Sequence, residues 1–346
     1  MAISLKHIAK EADVSIMTAS KILNLNESDR FRPETVKRVE AAALRLGYSP
    51  NRSAQVMRSQ RSGIIGLVTV NYDDNAGQLE NHPVQPFLTG LSHELGMNNQ
   101  HVAMVNWTEF EPQSAGDLPL ALRQRFFDGL VVHFGLSRQA HALLQEFDIP
   151  LLYWDSGINE PYNCLMRDEY RAASELIEHM YAYGYRNIAY YVGRLKQTVP
   201  DSPHTHFSAQ SRINAYQDVV SRHGEEPIVL DGLDPTHLAH EIARSKADAM
   251  VISGTHSPAF YMAANQLALQ GRPMPFACCD VEARSRFTQS IAGMSYDRFE
   301  TGRIAARMLQ SAIKSSQHKI PSQEIAAPFV WGSSLQSPLH EPGFTS

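Results

Sequence analysis

The chain has 346 residues, 43% of them hydrophobic, with 31 Lys and Arg against 36 Asp and Glu for a formal net charge of −5. That is enough apolar material for one small domain and one or two ordinary α/β domains, but no apolar run approaches the roughly 18 residues of a spanning helix or forms a signal-peptide core, so a cytoplasmic protein is expected. The three cysteines, Cys164, Cys278 and Cys279, make no CxxC, which argues against a disulfide framework and a zinc site.

Predicted elements begin with a short helix over Ser4 to Ala12, where Leu5, Ile8, Ala9 and Ala12 recur at the i, i+3, i+4 and i+7 spacing of a buried stripe. Only Asp13 and Val14 separate it from a second helix that is capped by Ser15 and runs to Asn24. Ala19, Ile22 and Leu23 form the core stripe of this helix, while Ile16, Met17, Ser20 and Lys21 occupy the opposite face. Two neighbouring apolar side chains at the first exposed positions ask for a partner. Short helices joined by so tight a turn cross steeply, the helix-turn-helix arrangement that pushes a second helix into a DNA major groove. A small helical bundle with no nucleic acid would share the pattern. A third helix opens with Pro33 and Glu34, runs through Val36, Val39, Ala43 and Leu46, and stops at Gly47. Tyr48 to Arg61 follows, with three arginines and no acid, too polar to fold alone.

Residues 1–61 hold 11 Lys and Arg against 6 Asp and Glu, and the other 285 residues hold 20 against 30, so a basic head precedes an acidic body. A basic segment attracts phosphate backbones by counterion release, and an acidic body discourages non-specific adhesion to DNA.

From residue 63 short apolar strands alternate with helical patterns. Strands are predicted at Ile64–Val70, Val102–Trp107, Leu130–Phe134, Leu151–Trp154, Ile188–Val192, Ala249–Ser253, Phe276–Cys279 and Ile291–Ser295. Helices are predicted at Pro86–Asn98, Glu169–Tyr183, Ser211–His223 and Asp297–Lys314. This is the pattern of parallel sheets with helical crossovers. Ligands of such sheets bind beyond the carboxyl ends of strands, which draws attention to Asn71, Tyr72 and Asp73, Trp107, Asp155, Thr255 and His256, Asp280, and Tyr296 with Asp297. Carboxylates and amides there suit sugar hydroxyls, and aromatic rings suit a pyranose or purine face.

The helix-turn-helix, then Leu-Gly-Tyr-Ser-Pro-Asn at 46 to 51, a short hinge and Ser-Gly-Ile-Ile-Gly-Leu-Val at 62 to 68 resemble the lactose repressor and galactose repressor family of bacterial regulators. The resemblance implies an α/β chain with a three-helix DNA-binding domain at 1–48, a hinge segment at 49–62 and an effector-binding and dimerisation domain at 63–346. That domain would comprise two doubly wound parallel-sheet subdomains similar to periplasmic binding proteins, one near 63–160 and 294–320, the other near 161–293 and 321–340. DNA contacts are expected from Ser15, Ile16, Met17, Thr18, Ser20, Lys21, Asn24, Tyr48, Asn51, Arg52, Ala54 and Met57. Met57 falls where the family places a leucine wedge that opens a base step through the minor groove. Effector contacts are expected from Tyr72, Asp73, Trp107, Asp155, Arg212, Thr255, His256, Asp280 and Tyr296, with Asp128-Gly129 and Pro150 to Asp155 matching family strand patterns.

Thr255-His256 departs from the family's usual Asn-Asp, and Gly193 to Ser208, with Pro200, Pro203, His204 and His206, is longer than the family loop before the arginine. The expected partners are double-stranded operator DNA, a small-molecule effector, most simply a sugar or sugar derivative, and a second copy of the chain. The tail from Ser333 carries no heptads, so a dimer is the default. The chain shows no HExxH, GxSxG or P-loop, nor a GxGxxG in the right context, and neither enzymatic activity, a cofactor nor a metal is expected. The alternative of another class is a cytoplasmic small-molecule-binding or sugar-processing protein that carries a helix-turn-helix.

Overall fold

The computed structural model describes residues 3–24, 27–48, 61–70, 84–107, 112, 114–124, 126–133, 137–193, 207–255, 257–285 and 290–335. The chain divides into two compact units, Met1–Gly63 and Ile64–Ser346. Most of the expected hinge lies outside the described residues.

In the first unit, α1 (Leu5–Glu11), α2 (Ile16–Asn24) and α3 (Pro33–Leu46) enclose Ile8, Ala9, Ala12, Ala19, Ile22, Val39, Ala42 and Ala43. The core stripes are those of the periodicity. α3 ends at Gly47, whose φ of +63° is the left-handed conformation glycine adopts without strain, and Tyr48 then donates its backbone N–H to the Ala43 carbonyl at 2.9 Å. An exposed ion pair between Arg45 and Glu11 joins α3 to α1.

Among the described residues, the second unit holds two six-stranded sheets. In the first, β1 (Ile64–Val70), β2 (His101–Trp107), β3 (Gly129–His133), β4 (Leu151–Trp154), β5 (Cys164–Met166) and β11 (Gln323–Glu324) run parallel in the order β11-β5-β4-β3-β1-β2. The second comprises β6 (Ile188–Tyr191), β7 (Ile228–Leu230), β8 (Ala249–Ile252), β9 (Phe276–Glu282), β10 (Ala292–Tyr296) and β12 (Phe329–Val330) in the order β12-β10-β9-β8-β6-β7, with only β12 antiparallel. The central strands β3, β4, β6 and β8 are buried at every residue, as expected of parallel strands covered on both faces. The covering helices are α4 (Val84–Gly96), α5 (Leu120–Arg123), α6 (Arg138–Gln145), α7 (Glu169–Ala182), α8 (Phe207–Arg222), α9 (Pro235–Ser245), α10 (Pro258–Leu269) and α11 (Arg298–Ser315).

The chain leaves the first sheet after Met166 and returns after Tyr296, when α11 adds Ala305, Ala306 and Leu309 to the first lobe's core. α11 lies against α4 through two glycines: a Cβ on Gly90 would collide with the Phe299 carbonyl, and one on Gly302 with the Phe87 carbonyl. The expected subdomain limits therefore shift. β5 and β11 fall in the first sheet rather than with 161–293 and 321–340, and β10 lies wholly in the second rather than dividing at 294. Strands of two or three residues carry too little alternation to be read, and only their hydrogen-bonded neighbours assign them. β5, β7, β11, β12 and helices α5, α6, α9 and α10 add to the predicted set, and β9 runs on to Glu282, which places Asp280 inside the strand. Among the described residues, no helix is long and apolar enough to cross a membrane.

Candidate functional site

The first unit presents the N-terminal end of α2. Thr18 donates its backbone N–H to Ser15 Oγ at 2.9 Å, so the serine caps the helix, and the two hydroxyls lie 2.8 Å apart. Beside this cap Ile16 and Met17 are 47% and 68% exposed while Ala19 and Ile22 are buried below them. Burial therefore explains the second pair and leaves the first without an intramolecular role. Thr18, Ser20 and Lys21 are half-buried on the same helix, and Asn24 donates to Ser20 Oγ at 3.4 Å. Tyr48 packs partly against the core of the unit. Asn51, Arg52, Ala54 and Met57 lie outside the described residues.

The second unit gathers charge where its two sheets meet. Asp155 follows β4 with a left-handed φ of +52°, and its carboxylate accepts from Arg167 Nη2 at 2.8 Å. Arg167 lies in the crossover after β5 and also reaches Glu169 at 2.8 Å and Asp280 at 3.2 Å. Arg212, on α8, donates to Glu169 at 2.8 Å, to the Ser253 carbonyl at 2.6 Å and to Asp280 at 3.2 Å. Arg298, the first residue of α11, donates to both Asp280 oxygens at 2.7 and 2.6 Å and to Glu282 at 3.3 Å. Three guanidiniums thus converge on one carboxylate, with four acids in the cluster. The Tyr296 ring lies under this group, 4.3 Å from Arg167 Cζ.

Every member is almost enclosed, so each charge is held by its partners rather than by water. Burial alone would raise the Asp280 carboxyl, but Arg298, Arg167 and Arg212 override it and hold Asp280 far below the ordinary carboxylate range. For Glu282 burial prevails over Arg298 and the Arg284 N–H, with the Asp280 charge adding to it, and its carboxyl is raised. Burial would lower Arg167 and Arg212, yet their acids keep both well above the ordinary guanidinium value.

The structure therefore brings Asp155, Arg212, Asp280 and Tyr296 together. Trp107 closes β2 with its ring in the first lobe's core beside Val105, Leu118 and Leu122, and Thr255 is half-buried beyond β8. Tyr72, Asp73 and His256 lie outside the described residues. Asp297 serves as the cap of α11, accepting from the Glu300 N–H at 2.8 Å, and pairs with Arg284 at 2.9 Å. Arg167, Glu169, Glu282 and Arg298 were not among the predicted residues. The signals available were a run of charge, Arg167-Asp168-Glu169, directly after an apolar strand, and an arginine directly after Tyr296-Asp297.

Residues 4–51 match the family described as "Bacterial regulatory proteins, lacI family". Over 232 residues, 67% of each chain, the protein is 29% identical to the HTH-type transcriptional regulator TreR of Escherichia coli strain K12. Its fold resembles that of a lac repressor dimer bound to operator and the anti-inducer ONPF, with a TM-score of 0.72 and 19% identity over 97% of this chain and 100% of that one. It also resembles the transcriptional regulator CelR in its cellobiose complex, with a TM-score of 0.57 and 18% identity over 96% and 99% of the two chains.

Proposed function

We propose that this chain, whose residues 4–51 match the lacI family of bacterial regulatory proteins, is a sequence-specific DNA-binding transcription regulator, a cytoplasmic homodimer repressing genes of carbohydrate transport or catabolism. A sugar or sugar derivative bound between the two sheets controls its hold on a two-fold symmetric operator. One observation carries the effector reading: Asp155, directly after a strand of the first sheet, and Asp280, within a strand of the second, reach one buried cluster with Arg212. A ligand recognised there reads both lobes at once and biases their relative angle. The lac repressor and CelR, described with ONPF and cellobiose respectively, support a sugar in this role.

On the DNA side α2 enters the major groove, Ile16 and Met17 meet thymine methyls or base edges, and Lys21 meets a guanine edge or phosphate. The hinge residues Asn51, Arg52, Ala54 and Met57 follow the minor groove, with Met57 as the apolar wedge. A change in the angle between the lobes alters the separation of the two hinges in a dimer, which couples effector to DNA.

A thermal-shift screen of sugars, sugar acids, sugar phosphates and nucleobases tests the effector site. At a hundredfold excess over Kd a ligand that binds only the folded state adds about 2.7 kcal/mol of stability. One compound class should raise the melting temperature of the wild type and not of Arg212→Ala. Equal stabilisation of both proteins would place the ligand elsewhere.

A further inference from the structure

Asp280, between the lobes, is already fully liganded by the protein's own side chains. Asp280 Oδ2 accepts from Arg298, Arg167 and Arg212, and Oδ1 from Arg298. A carboxylate offers about four acceptor positions, so a ligand hydroxyl reaches Asp280 only by displacing a guanidinium. The two displaceable arginines occupy telling places. Arg167 stands where the chain first crosses from the first sheet to the second, and Arg298 where it has just crossed back. Arg167 holds Asp155 of the first lobe together with Glu169 and Asp280 of the second. Arg298 opens the helix packed in the first lobe and holds Asp280 and Glu282 of the second.

We propose that Arg167 and Arg298 form an ionic latch that holds the two lobes together in the absence of effector, and that the effector acts by taking their place on Asp280. The proposal rests on the reading of this cleft as the effector site and adds its regulation. Two details fit a latch built to open. Arg167 is only 7% exposed, yet its Nε finds no acceptor among the described residues, so the closed arrangement carries an unmet donor that a ligand oxygen would satisfy. Both arginines are long unbranched side chains that swing without moving the backbone, whereas Asp280 is fixed within β9.

The test is the distance between spin labels in the full-length, ligand-free protein, at Gln145→Cys on α6 and His240→Cys on α9. Both positions are exposed, and the native cysteines are buried. Arg167→Met and Arg298→Met should each shift the distribution to longer and broader distances. Arg303→Met, which breaks a pair with Glu94 inside the first lobe, should leave it at the wild-type value. If a methionine variant does not fold, Arg298→Lys and Arg167→Lys keep the charge but lose the forked donors, and an intermediate broadening is expected. Wild-type distributions in the folded variants, or equal opening in Arg303→Met, would overturn the latch. Because no ligand is present, that result leaves the effector reading standing, and only the Arg212→Ala screen refutes the latter.

Discussion

Replacing Asp280 by asparagine keeps the shape of the side chain and removes the charge on which three buried arginines converge. Arg298 loses a contact at 2.6 Å and Arg167 and Arg212 lose contacts at 3.2 Å, with little water to replace them. Breaking a buried ion pair by removing one partner costs about 3–5 kcal/mol, because the other charge stays buried and uncompensated. The remaining acids, Asp155, Glu169 and Glu282, still pair with the three arginines, so the lower end, about 3 kcal/mol, is expected. For a domain of this size that corresponds to a fall of roughly 6–12 °C in melting temperature, at about 2–4 °C per kcal/mol. Adding Arg298→Met to Asp280→Asn should recover part of the loss, since it removes the buried guanidinium that lost its shortest contact and keeps only Glu282. Urea or thermal melts of the two single variants and the double variant read this directly as a coupling energy. A loss under about 0.5 kcal/mol for Asp280→Asn, or strict additivity in the double variant, would show that the cluster is not an interdependent network.

Ile16→Ala and Met17→Ala should each reduce discrimination between operator variants by about 1–3 kcal/mol per lost base contact while leaving non-specific binding nearly intact, as anisotropy titrations on matched and mismatched duplexes would show. Both side chains are largely exposed, so melting temperature should barely move, and a large drop would mean that they hold the fold. Operator affinity should fall by about a thousandfold or more between 50 and 200 mM salt for several phosphate contacts per dimer, and a flat response would contradict the basic head's role. Glu282 has a folded-state pKa raised above its ordinary 4.5, so it destabilises the fold when ionised. Wild-type stability should therefore gain a contribution as pH falls from neutrality through that raised value toward 4.5, and a Glu282→Gln comparison in pH-dependent melts should lack this gain.

The helix-turn-helix was legible because everything that specifies it is local: two apolar stripes, a two-residue turn, a serine cap and a terminal glycine. The long central strands were legible for a related reason, since a run such as Ala249 to Ile252 between helical patterns has few other readings. Short edge strands were not, because Gln323–Glu324 is a strand only by virtue of its pairing with β5. The same limit applied to the cluster. Asp280 is legible from its place at a strand end and Arg212 through the resemblance, but Arg167 meets Asp280 across 113 residues of sequence, and a charged residue seen alone reads as a solvated one. Asp297 shows the converse: its position after a strand suggested ligand recognition, while its carboxylate serves the first turn of α11. Trp107 likewise stands at a strand end with its ring turned into the core.

The central claim is that one unit reads DNA and the other controls it through a bound small molecule. Its most direct test is to select binding sites for the full-length protein from a random-sequence duplex pool, then titrate the enriched duplex with and without the compound that raises the melting temperature. An inverted-repeat site should emerge, and its affinity should change when the compound is added to the wild type but not to Arg212→Ala. Enrichment of no sequence, or an affinity that the compound leaves unchanged in the wild type, would contradict the account.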